Sequence, residues 1–148
     1  DFDPGNVDIL IALHACDTAT DEALYKGIKS GAEIMVAAPC CHHELRKQIR
    51  PPELLKGILK HPVMLERTAE TITDGIRSML LEAKGYKTKM FEFVSTEHTP
   101  KNNLLVAVGA SGSHAIKGHA DSLKAEIKAI QSEFGIRHQR LADLLETN

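Results

Sequence analysis

Two segments of this chain share one plan, and that plan limits the fold more than any other feature. An apolar run over residues 8–13 breaks at His14-Ala15-Cys16-Asp17 and passes straight into a helix start. A second run over residues 32–38 breaks at Pro39-Cys40-Cys41-His42-His43. Runs that are apolar at nearly every position, without alternation, fit strands covered on both faces of a parallel sheet. A helix between them implies a right-handed crossover. Reactive side chains at the carboxyl ends of two such strands mark the place where open α/β sheets build their sites.

The rest of the chain follows that lead. The first strand is expected over 7–13 and the second over 34–38. Between them Thr18 and Asp21 form a capping box, Ala23, Leu24 and Ile28 turn inward, and Ser30-Gly31 ends the helix. Short helices are expected over 44–49 and, after Pro51-Pro52, over 53–60. From 66 to 84, Ala69, Ile72, Ile76, Met79, Leu80 and Ala83 recur at helical spacing, with Gly75 inside costing about 1 kcal/mol against Ala. Strands over 87–95 and 104–108 are placed to pair as an antiparallel hairpin. Amphipathic helices follow over 121–134 and 137–146. The tract Gly109 to Gly118 between strand and helix matches neither phosphate-loop pattern and reads as a linker. The expected division is therefore an α/β unit over 1–110, then a linker and helical extension of the same domain over 111–148.

Bulk properties bear on several classes of function without deciding among them. Eighteen Lys and Arg against twenty Asp and Glu give a net charge of −2, which is no electrostatic footprint for nucleic acid. Three Cys, two of them adjacent, make no disulfide framework and suit a reducing, cytoplasmic setting. Nothing resembles a signal peptide or the roughly 20-residue apolar run of a membrane span. The sequence opens on Asp1 rather than Met and enters a buried-type strand almost at once, so it reads as the carboxyl-terminal part of a longer protein.

The motifs, taken in order, resemble the class I S-adenosylmethionine (SAM)-dependent methyltransferases. His14-Ala15-Cys16-Asp17-Thr18-Ala19-Thr20-Asp21 followed by Pro39-Cys40-Cys41-His42-His43 looks like the methyltransferase-like domain family. It is also similar to the tRNA acceptor-stem 2′-O-methyltransferases, and Glu97-His98-Thr99-Pro100-Lys101-Asn102 looks like a third element of the same group. Together these cover roughly residues 8–108. The resemblance implies strands four to seven of a Rossmann-like sheet, with the glycine-rich loop and the acidic residue that hold the cofactor lying upstream, so that these residues alone bind SAM poorly. It further implies that Leu13, His14, Ala15 and Cys16 contact the cofactor, S-adenosylmethionine. His14, Asp17, His42 and His43 would serve catalysis. Pro39, Cys40, Cys41, Glu97, His98 and Asn102 would meet the acceptor, for which RNA is the class suggested and a small molecule the alternative.

Each residue also has a plainer role open to it. Asp17 and Thr18 suit helix capping, and His14 suits a packed, hydrogen-bonded core position. Four adjacent residues on a strand cannot converge on one tetrahedral ion, because successive side chains point to opposite faces. No metal is therefore assigned, although Cys16 or His14 could complete a site with two of the Cys-Cys-His-His residues. Arg46, Lys47, Arg50, Lys56 and Lys60 form a basic stretch that reads as a solvated face or as contacts to an RNA backbone. A first strand without an upstream neighbour would leave a sheet edge open to homodimerisation, which supports a non-catalytic folding or interaction module as the competing reading.

Overall fold

The computed structural model describes residues 5–93, 102–109 and 117–147. Strand β1 (Ile9–Leu13), helix α1 (Thr18–Lys29) and strand β2 (Ile34–Ala38) form the expected crossover, with the strands parallel from Ile9 opposite Ile34 to Leu13 opposite Ala38. Next come α2 (His43–Gln48), a 3-10 turn (Glu53–Leu55), α3 (Lys56–Leu59) and the long α4 (Pro62–Ala83). Strands β3 (Tyr86–Glu92) and β4 (Asn103–Gly109) pair antiparallel, and helices α5 (Lys117–Glu133) and α6 (Arg140–Glu146) complete the described chain. Strand β4 also pairs antiparallel with β2, so the sheet order is β1-β2-β4-β3. This mixed, open sheet, with six helices among the described residues, is compatible with part of a Rossmann-like fold.

Register explains where the core sits. Leu10, Met35, Ala107 and Thr88 share one face, as do Ala12, Ala37, Leu105 and Met90. On that face Met35, Ala37, Leu105 and Ala107 are almost completely buried, together with Leu24 of α1, Ile76 and Leu81 of α4 and Leu141 of α6. The opposite face carries Ile9, Ile11 and Leu13, which are 53%, 64% and 58% exposed, and Val108 at 44%. The expectation that the first strand is covered on both faces is therefore corrected. Its apolar character is two-sided, but the described helices cover one side only.

Local signals account for the element ends. Gly31 (φ 69°) and Gly85 (φ 93°) take the left-handed conformation that stops α1 and α4, as glycine does at no steric cost. Helix α4 begins four residues earlier than its apolar spacing suggested, with Pro62 at its first position. Helix α5 likewise begins ahead of residue 121, and α6 begins three residues late, after Gln139. The expected helix over 53–60 is divided between the 3-10 turn and α3. The Thr18–Asp21 capping box is not formed: Asp17 occupies the N-cap without a side-chain cap bond, and Asp21 is buried in an ion pair. Helices α5 and α6 pack on α4 and α1, and Ile127, Ile136 and Leu141 join the main core.

Candidate functional site at the strand ends

Parallel pairing brings the loops after β1 and β2 side by side. The β1 loop is unusual in its backbone: His14 (φ 57°) and Asp17 (φ 53°, ψ −123°) both have positive φ. Such conformations cost a non-glycine residue about 1–3 kcal/mol and persist only when the surroundings enforce them. Here the Thr20 hydroxyl donates to the Ala15 carbonyl, and the Arg77 guanidinium donates to the Asp17 carbonyl at 2.8 Å. The Asp17 carboxylate accepts the backbone N–H of Glu44 at 3.0 Å, satisfying an amide in the first turn of α2. One residue thereby ties the first loop to the helix that follows the second.

Three sulfurs lie where those loops meet. Cys16 Sγ is 3.3 Å from Cys40 Sγ, Cys40 Sγ is 3.6 Å from Cys41 Sγ, and all three fall within 4.8 Å of one another. Cys16 is exposed and the other two are partly so. The hydrogen bond with Cys16, then burial, then the hydrogen bond with Cys41 push the Cys40 thiol up to about 12.

Beneath the loops runs a buried ionic network. Arg77 donates to Asp21 through Nε at 3.0 Å and Nη2 at 2.6 Å, and to Asp74 through Nη1 at 3.1 Å. Gln139 Nε2 also donates to Asp21, at 2.6 Å, and His42 Nε2 meets Asp74 Oδ1 at 3.1 Å. Burial pushes the Arg77 guanidinium down, but Asp21 and Asp74 more than offset this, so its pKa rises. Among the described residues, His42 Nδ1 and Asp74 Oδ2 have no hydrogen-bond partner. The network joins α1, the β2 loop, α4 and the residue before α6, and it fixes the loops from below.

Sequence-singled residues divide accordingly. Leu13, His14 and Cys16 are exposed, Ala15 and Asp17 are partly buried, and His43 is exposed at the first position of α2. Pro39 is buried, and His42 is 1% exposed, so its imidazole reaches Asp74 rather than solvent. The structure thus places His42, which the resemblance assigned to catalysis, beneath the loops with its imidazole against Asp74. Asn102 is buried beside β4, where its carbonyl accepts the N–H of Phe93 at 3.0 Å. Glu97 and His98 lie outside the described residues, as does most of the tract from Gly109 to Gly118. In the basic stretch Arg46 pairs with Glu66 and Lys56 with Glu53, leaving Lys47, Arg50 and Lys60 exposed.

Sequence reasoning missed Asp74, Arg77 and Gln139, and it gave Asp21 to a capping box rather than to this network. A faint signal existed for one pair: Asp74 and Arg77 stand three apart, flanking the apolar face of a long helix, where a solvated pair would not be expected.

Residues 2–48 match the family model of a methyltransferase domain. The matched segment covers 47 of the 148 residues and contains both strand-end loops, from before β1 to the end of α2. No curated protein and no solved structure matches the chain. The match supports a methyltransferase role in general terms, carried by the residues around the paired loops. Among the described residues no helix is long and apolar enough to cross a membrane.

Proposed function

We propose that this chain works as a SAM-dependent methyltransferase domain whose acceptor is met between the ends of β1 and β2. The observation that carries the reading is the coincidence of the matched segment with the two paired loops. SAM, when bound, supplies a methyl group on a positively charged sulfur. The residues fit such a donor to this extent: Leu13, His14 and Cys16 are exposed at the end of β1, so a ligand reaches them without rearrangement. His14 offers an imidazole able to take a proton from an acceptor hydroxyl, and His43 offers a second from the start of α2. Asp17, which accepts the Glu44 amide, holds α2 against the β1 loop.

RNA is the acceptor class we favour. Lys47, Arg50 and Lys60 lie exposed on the segment that follows the second loop, where they would reach a phosphate backbone. The test is calorimetric titration of SAM into the full-length gene product, followed by transfer of labelled methyl to RNA and to small-molecule fractions. Stoichiometric binding with label in RNA supports the whole reading. Label in a small molecule replaces the acceptor alone, and absence of binding by folded protein removes the enzyme.

A second reading rests on the β1 edge, where Ile9, Ile11 and Leu13 are exposed on a strand that, among the described residues, is paired on one side only. Here the domain pairs with a second copy along β1, as unprotected strand edges do. Light scattering decides it: a dimer that Ile11→Lys converts to monomer supports the edge, and a monomer at all concentrations removes it.

A further inference from the structure

We propose that Cys16, Cys40 and Cys41 form a zinc site with three thiolate ligands and one open coordination position. The strand argument against convergence holds only within a strand, and β2 ends at Ala38. Cys40 and Cys41 stand beyond it, in the turn before α2, where alternation no longer separates them and their sulfurs come to 3.6 Å. Cys16 arrives from the neighbouring parallel strand's loop and places its sulfur 3.3 Å from Cys40.

That spacing suits one ion. A zinc–sulfur bond of about 2.3 Å sets the edge of a ligand tetrahedron near 3.8 Å, so the two shorter separations need open by about half an ångström or less. A disulfide would use two of the sulfurs and leave the third unexplained, and adjacent cysteines are poorly placed to bridge each other. Soft thiolates select zinc over magnesium or calcium. Three protein ligands with the fourth position free is the arrangement of zinc that meets an exchangeable ligand rather than zinc that only holds a fold. Exposure of Cys16 leaves the cluster reachable from solvent.

The loops are also braced in advance. Thr20 holds Ala15, Arg77 holds the Asp17 carbonyl, and Asp17 holds the Glu44 amide, so neither cysteine loop must be ordered at the moment of binding. On binding, each thiol gives its proton to solvent, three sulfur–zinc bonds form, and water takes the fourth position. No electron is transferred.

The experiment uses the whole chain, chelator-stripped and kept reduced, titrated with Co²⁺ as a coloured stand-in and then with Zn²⁺. The expected result is one ion per chain, a thiolate-to-cobalt charge-transfer absorption that Zn²⁺ abolishes, and release of about three protons per ion at pH below the thiol range. Cys16→Ser, Cys40→Ser and Cys41→Ser should each weaken zinc binding by at least about tenfold, and His119→Ala on α5 should leave it unchanged. Because Cys16 is exposed, Cys16→Ser keeps the fold, which circular dichroism checks independently. Absence of the charge-transfer band overturns the proposal. So does metal uptake that survives Cys16→Ser, or a Cys16–Cys40 disulfide formed in air by protein that takes up no metal when reduced.

Discussion

Replacing Arg77 with alanine withdraws the cation on which two buried carboxylates depend. Arg77, Asp21 and Asp74 are each 1% exposed or less, so water cannot take over the lost interactions. Three hydrogen bonds to the carboxylates and one to the Asp17 carbonyl disappear together. Breaking a buried pair by removing one partner costs about 3–5 kcal/mol, mostly because the remaining charge is left uncompensated. Against a total stability of about 5–15 kcal/mol this is a large fraction. With a urea slope of about 2 kcal/mol per molar, the unfolding midpoint should fall by roughly 2 M. Combining Arg77→Ala with Asp21→Asn removes one orphaned charge while Gln139 still meets residue 21, so the double variant should be more stable than the single one. Urea unfolding followed by circular dichroism gives both numbers. A loss below about 1 kcal/mol for Arg77→Ala, or a double variant no better than the single, would show that the network is not what holds these elements together.

Two glycines should respond in opposite directions. A Cβ at Gly27 would lie 2.5 Å from Met35 Sδ and 3.3 Å from Leu10 Cδ1, so Gly27→Ala should cost about 1–3 kcal/mol by overpacking. Gly75 in α4 has nothing within 4 Å of that position, and Gly75→Ala should stabilise by about 0.5–1 kcal/mol in thermal or urea unfolding. Glu44 should show a pH signature. Burial raises its pKa, the Arg140 amide opposes this, and the charges of Asp21, Asp17 and Asp143 add to the rise. Its contribution to stability is therefore full below the ordinary carboxylate range and is lost as pH rises through the folded value. Glu44→Gln should gain on the native protein between about pH 4 and pH 7 in paired urea titrations, and a difference that does not change with pH would refute the assignment.

The strand–helix–strand start was legible because its signals are local: apolar runs, a Ser-Gly stop at residues 30–31 and a polar break at each strand end. The antiparallel pairing of residues 86–92 with 103–109 was legible for the same reason. Position 21 was misread because an acid three residues after Thr18 satisfies a capping box and a buried ion pair equally well, and its partner Arg77 lies 56 residues away. The early start of α4 escaped because Val63 and Met64 are exposed, so their apolar character carries no helical period. At the candidate site, the sequence singled out the two loops that parallel pairing brings side by side, but not which of their members would meet. His42 shares a motif with His43, yet one is buried against Asp74 and the other faces solvent, a distinction set by α4 rather than by the motif. The cysteine cluster depends on where β2 stops, and a shift of two residues would have separated its sulfurs.

Hydrogen exchange of the full-length gene product, with and without SAM, tests the central claim most directly. The account predicts that bound SAM slows exchange at the end of β1, residues 13–18, and in the neighbouring loop, residues 39–43, leaving α5 and α6 unchanged. Stoichiometric binding with protection confined to other parts of the protein would contradict the placement of the site at these strand ends.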